Sequence, residues 1–194
     1  MLRKTLYGTL AVGLLLVSAG TAGAQFASPI RFNIHAGAAL PVGDFGASDD
    51  PFTDGFAELG FRVGAGLELR APLMPVGLRF DGAFDRMGFE DADAAYSIWN
   101  LTANAVVQPM VSPLYFIGGI GFYGTDITGD DADAVFGDFE SETDFGFNLG
   151  AGFSLPLTGF STFIEARWHR ISVDSDIFGF DSINYIPIVF GIRF

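Results

Sequence analysis

From residue 30 onward, apolar side chains recur at every second position in eight separate runs. In the first, Ile30, Phe32, Ile34, Ala36, Ala38 and Leu40 oppose Arg31, Asn33, His35, Gly37 and Ala39. The same alternation recurs over 59–70, 76–85, 99–108, 114–123, 145–155, 162–169 and 185–194. Successive side chains of a strand point to opposite faces, so each run predicts a strand with one apolar face. Helical periodicity fits none of them. The connections alternate in kind. Polar, acidic segments follow the first, third, fifth and seventh runs, the longest being 126–144; short proline-bearing turns over 71–75, 109–113 and 156–159 follow the others. An even strand count puts both ends of the sheet on one side. Runs of about ten residues are what a tilted strand needs to cross a bilayer.

The last run is the most telling. Ile186, Ile188, Phe190, Ile192 and Phe194 share one face, against Tyr185, Pro187, Val189, Gly191 and Arg193 on the other. An apolar strand left at a free sheet edge invites aggregation. The pattern makes sense if that strand closes a barrel and its apolar row meets lipid. This ending resembles the terminal strand of bacterial outer-membrane β-barrels, which the insertion machinery reads as a sorting signal. The architecture as a whole is similar to the small OmpA-like and OmpX-like outer-membrane barrels. The resemblance implies an all-β fold, an eight-stranded antiparallel up-and-down transmembrane β-barrel in the cell outer membrane. It implies the lipid bilayer and lipopolysaccharide as surroundings, the insertion machinery as a partner during biogenesis, and a monomer.

Alternation alone does not say which face is outside, because a soluble lipocalin-like barrel has the same period with its apolar face inward. The compositions of the two faces decide. One is Phe, Leu, Ile and Ala, almost free of charge in mid-strand. The other mixes Gly, Ala and Ser with Arg and a few carboxylates, which suits a narrow interior. Tyr96, Trp99 and Trp168 fall near the loop ends of their runs, where an aromatic girdle belongs.

Composition adds an export signal. Leu2-Arg3-Lys4 precedes an apolar run from Leu10 through Val17, and Ala22-Gly23-Ala24 reads as a cleavage site. Residues 1–24 are therefore expected to be a cleaved signal peptide, with the barrel domain occupying 25–194. The absence of Cys excludes both a disulfide framework and a lipid-anchored start. The chain has 10 basic and 23 acidic residues; Arg3 and Lys4 leave with the leader, so 8 against 23 remain, net −15. Such a balance excludes nucleic-acid binding through phosphates, which needs clustered Lys and Arg.

Candidate chemistry lies in three places. Ten charged residues take the inward parity: Arg31, Arg62, Glu68, Arg70, Arg79, Asp81, Asp85, Glu165, Arg167 and Arg193. Buried charges persist when paired, so a packed, ion-paired lumen is expected. His35 and His169 share that parity, but Ser172 near His169 takes the opposite one, and no acidic group stands ready to orient an imidazole. A catalytic site is therefore not expected, and no cofactor is. Gly119–Gly124 spells G-x-G-x-x-G but lies within a strand, so the dinucleotide-binding context is missing. In the longest acidic segment, Asp130, Asp131 and Asp133 are candidates for weak divalent-cation binding. The EF-hand pattern fails there, because Val135 and Phe136 stand where a ligand and a glycine belong. The expected role is structural or surface-interacting, with a filled lumen and acidic loops outside. A small passive channel and a lipid A-modifying enzyme are the alternatives.

Overall fold

The protein's structure, a computed structural model, describes residues 29–46, 57–71, 73–88, 94–109, 112–129, 142–173 and 181–194. Eight strands make up almost all of them: β1 (Ile30–Val42), β2 (Gly60–Leu69), β3 (Val76–Gly88), β4 (Ala94–Val107), β5 (Leu114–Gly129), β6 (Glu142–Pro156), β7 (Ser161–Ser172) and β8 (Ser182–Arg193). Each pairs antiparallel with its sequence neighbour, and β1 pairs with β8 to close the barrel. At this seam Asn33 faces Arg193 and Leu40 faces Ile186. Phe32 and Phe194 extend it by exchanging two backbone hydrogen bonds of 2.8 and 2.9 Å. The fold is therefore a closed, all-antiparallel, up-and-down barrel without a free edge.

Side-chain burial inverts the pattern of a water-soluble protein. Leu101, Phe116 and Leu149 are each 61% exposed on the outer wall, whereas Glu68, Arg79 and Asp85 are 0% exposed inside. Charges enclosed and large apolar groups displayed is a favourable arrangement only where the wall meets hydrocarbon. No helix among the described residues is long and apolar enough to cross a membrane; the strands do the crossing.

Several strands run further toward the long connections than their alternation suggested: β3 continues to Gly88 and β4 begins at Ala94. Asp126 and its neighbours up to Gly129 belong to β5, and Glu142, Thr143 and Asp144 belong to β6. At the opposite end the turns are tight. Leu157 N–H donates to Phe160 C=O at 2.8 Å, and the turn between them needs a positive φ of 89° at Gly159, which glycine adopts without steric cost.

Space inside is set by the smallest residues. A Cβ at Gly152 would lie 2.3 Å from the Tyr115 ring, and one at Gly66 would lie 2.2 Å from Asp81 Oδ1. The large polar side chains fit because these positions carry none.

Candidate functional site

The inward-facing charges of the short-turn half come from opposite walls. β3 and β7 are four places apart in a ring of eight and so face each other across the lumen. Arg79 on β3 donates from Nη2 to both carboxylate oxygens of Glu165 on β7, at 2.7 and 2.8 Å. Its Nε donates to Asp81 at 2.9 Å. Arg167 on β7 returns the contact, donating to Asp81 at 2.9 Å and to Glu165 at 2.5 Å. Two guanidiniums and two carboxylates thus form a closed, neutral ring. Tyr115 O–H donates to Glu165 at 2.7 Å, and Asn104 donates to Asp81 at 3.1 Å. Every carboxylate in the ring is bonded at least three times, which offsets much of the cost of removing it from water.

A second pair lies toward the long-loop end. Arg62 on β2 donates to both oxygens of Asp85, its cross-strand partner on β3, at 3.1 and 2.9 Å. Asn100 and Tyr185 also donate to Asp85, at 3.1 and 3.2 Å. His169 stacks on Tyr185 with ring centroids 4.9 Å apart, and its Nδ1 lies 2.9 Å from the Tyr123 hydroxyl. Above them the lumen turns apolar. Met87, Tyr96, Ile98, Ile127, Ile171 and Ile183 pack together with Phe45, which the 3₁₀ turn Gly43–Gly46 after β1 carries inward. Phe45 meets Tyr96 edge to face at 5.1 Å.

At the short-turn mouth the pairing is looser. Glu68 is the shared carboxylate: Arg70 Nε lies 2.9 Å from one of its oxygens and Arg193 Nε 3.6 Å from the other. Neither contact is aligned as a hydrogen bond. The Arg193 guanidinium lies over the rings of Phe163 and Tyr115, at 5.0 and 5.5 Å. Arg31, opposite Glu68 in the β1–β2 register, is half-buried at the rim outside the paired network.

Chemically, the lumen is built for mutual neutralisation. His35 Nδ1 contacts Asn33 at 3.1 Å and His169 contacts Tyr123, so no carboxylate orients either imidazole. Ser172 lies exposed on the outer wall, away from His169. No three His, Asp or Glu side chains gather as a metal site among the described residues. Asp130, Asp131 and Asp133, and the leader at 1–24, lie outside the described residues.

On the outer wall, Trp99 is 41% exposed, and Trp168 packs edge to face on Phe147 at 5.4 Å. Tyr96 is a correction: it is not in the girdle but inside the lumen, 2% exposed. β4 runs unbroken through both residues, and positions three apart in a strand face opposite ways, so Trp99 outward forces Tyr96 inward. Ile186, Ile188, Phe190, Ile192 and Phe194 line the outer side of the terminal strand. Tyr115, Tyr123, Tyr185, Asn100 and Asn104 complete the lumen network without carrying charge or a motif. Their inward parity was the available signal. Phe45, in a segment without alternation, left none.

The sequence matches the family described as "Outer membrane protein beta-barrel domain" over residues 10–194. No curated protein matches in sequence. Among solved structures, Neisserial surface protein A is similar with a TM-score of 0.57 at 16% identity, covering 86% of this chain and 96% of that one. Ail, the attachment invasion locus protein of Yersinia pestis, solved with the heparin analogue sucrose octasulfate, gives 0.50 at 21% identity, covering 85% and 99%. At these identities the likeness is one of fold.

Proposed function

Because the chain belongs to the outer membrane protein beta-barrel domain family, we propose that it serves in that membrane as a structural or surface-interacting barrel with a closed lumen and no catalytic step. One observation carries this reading: Arg79 and Glu165 bond directly between opposite walls, so side chains span the full width of the interior. The apolar packing around Phe45 and Tyr96 adds a second, uncharged closure toward the long loops. An ion entering from either end would have to displace one or the other.

The long acidic connections then face outward and the short turns face the periplasm. With 23 acidic residues in the chain, the displayed loops repel polyanions. Their contacts are divalent cations bridging to lipopolysaccharide phosphates, with Asp130, Asp131 and Asp133 the densest candidates. The barrel works as a monomer, reaches the membrane after cleavage before Gln25, and is assembled by machinery that reads Phe194 and its row.

Planar-bilayer recording tests the central point. Purified barrel should leave the membrane at baseline conductance, with no unitary steps. Discrete, reproducible openings would make it a channel. Mass spectrometry of lipid A from expressing cells should show no shift; a shift that disappears with His169→Ala would make it an enzyme.

A further inference from the structure

The chain is acidic overall, yet its short-turn mouth carries the opposite sign. Three guanidiniums, from Arg31, Arg70 and Arg193, stand there against the single carboxylate of Glu68. The contrast with the ring deeper inside is sharp. There, two arginines and two carboxylates balance, with aligned bonds of 2.5–2.9 Å between them. At the mouth, side-chain charge is in excess by two, and both oxygens of Glu68 lack an aligned hydrogen bond.

The geometry gives the excess somewhere to act. A pocket of about 290 Å³ opens at the rim, lined by Arg31, Arg70, Leu73, Met74, Gln108 and Pro109. The Arg70 side chain is only 9% exposed, and Gln108 Oε1 fixes its direction by accepting from Nη1 at 3.0 Å. Gln108 is held in turn by donating to Ser112 C=O at 3.1 Å. Arg70 Nη2 has no partner among the described residues. Burial, with repulsion from Arg31 and Arg193, depresses the Arg70 pKa below that of a free guanidinium in spite of Glu68. An anion in the pocket would relieve that repulsion.

We propose that the short-turn mouth binds a phosphate-type oxyanion, held between the guanidiniums of Arg31 and Arg70. A phosphodiester, with one negative charge, or inorganic phosphate, with up to two, would offset part or all of this excess. Tetrahedral phosphate oxygens suit the planar guanidinium fork, which makes paired, charge-assisted bonds. Two sources share this chemistry. Leu73 and Met74 stand exposed on the lip of the mouth at 87% and 55%, and with the short turns toward the periplasm, as proposed above, this lip meets the inner-leaflet headgroups. A phospholipid headgroup could enter with its glycerol against that lip. A soluble phosphate compound could enter from the periplasm.

The test uses the full mature chain in two arms. In dodecyl maltoside, which carries no phosphate, inorganic phosphate is titrated against the barrel by calorimetry in constant chloride. In vesicles of phosphatidylethanolamine and phosphatidylglycerol, followed by native mass spectrometry, retained phospholipid is counted. Saturable binding in the first arm identifies the soluble source, and retained lipid in the second identifies the headgroup. Arg31→Gln, which breaks no internal ion pair, should weaken the response about tenfold, as the loss of one charge-assisted bond implies. Arg86→Gln, on the exposed outer wall at the other end, should leave it unchanged. Absence of binding in both arms overturns the proposal. So does equal affinity in Arg31→Gln and wild type, or competition by chloride at equal concentration.

Discussion

Trp99 and Gly124 face each other across the β4–β5 ladder, and the indole fills the space that a side chain at 124 would need. A Cβ there would fall 2.0 Å from Trp99 Nε1. Glycine costs strand stability on its own, and an aromatic laid over it restores packing. Gly124→Ala should therefore swing the indole away and destabilise the barrel by about 1–3 kcal/mol, the usual cost of overpacking. Tryptophan emission in a Trp168→Phe background reads the movement directly. An unchanged spectrum would mean the indole does not depend on that gap.

The charge ring makes a prediction of asymmetry. Glu165→Gln leaves two buried guanidiniums short of a counter-charge and should cost about 3–5 kcal/mol in urea unfolding from lipid vesicles. Replacing a matched pair, Arg79→Met with Glu165→Leu, should be much milder, because no net charge is then stranded. If the double replacement is as damaging as the single one, hydrogen-bond geometry and not charge balance holds the lumen together.

The direction of the wall is open to test by a single charge. Phe116→Arg places a guanidinium on the outer face, where Phe116 is 61% exposed, and should cost about 2–4 kcal/mol in a bilayer. Asn148→Ser, which loses the 2.9 Å bond from Asn148 to Asn104, should cost about 1 kcal/mol. The reverse ranking would turn the barrel inside out.

Deleting Phe194 removes a ring 6.4 Å from that of Phe32 and both backbone bonds that extend the β1–β8 seam. Phe153→Ala removes a comparable apolar group from the wall without touching the seam. Refolded in detergent, both variants should show heat-modifiable gel mobility. In cells, the Phe194 deletion should assemble far more poorly. Equal assembly in cells would reduce Phe194 to ordinary membrane surface.

Strand alternation carried most of the fold, because period two is a local property that composition cannot disguise. It also gave the short-range pairs: Arg79 with Asp81 and Glu165 with Arg167 are two residues apart on one face. What alternation could not give was the pairing of Arg79 with Glu165, since contact across a lumen depends on closure and tilt. Nearness to a loop suggests a girdle position for Tyr96, but its parity with Trp99 turns it into the lumen. The true ends of β5 and β6 were hidden because, past the membrane, Asp126 and Asp144 are as acceptable in a strand as in a loop.

The seam between β1 and β8 has a kinetic meaning. Its partners stand near opposite ends of the described chain, and the ring inside joins residues 86 apart in sequence. Contacts that distant carry a large loop-closure cost before they return any stability. Until the two outermost strands meet, a partly assembled sheet would hold Asp81 and Glu165 beside hydrocarbon without their full complement of arginines. No single hairpin can rest stably in the bilayer on those terms. Closure thus ties folding to insertion, and the meeting of the first strand with the last is the pairing that carries the largest loop-closure cost.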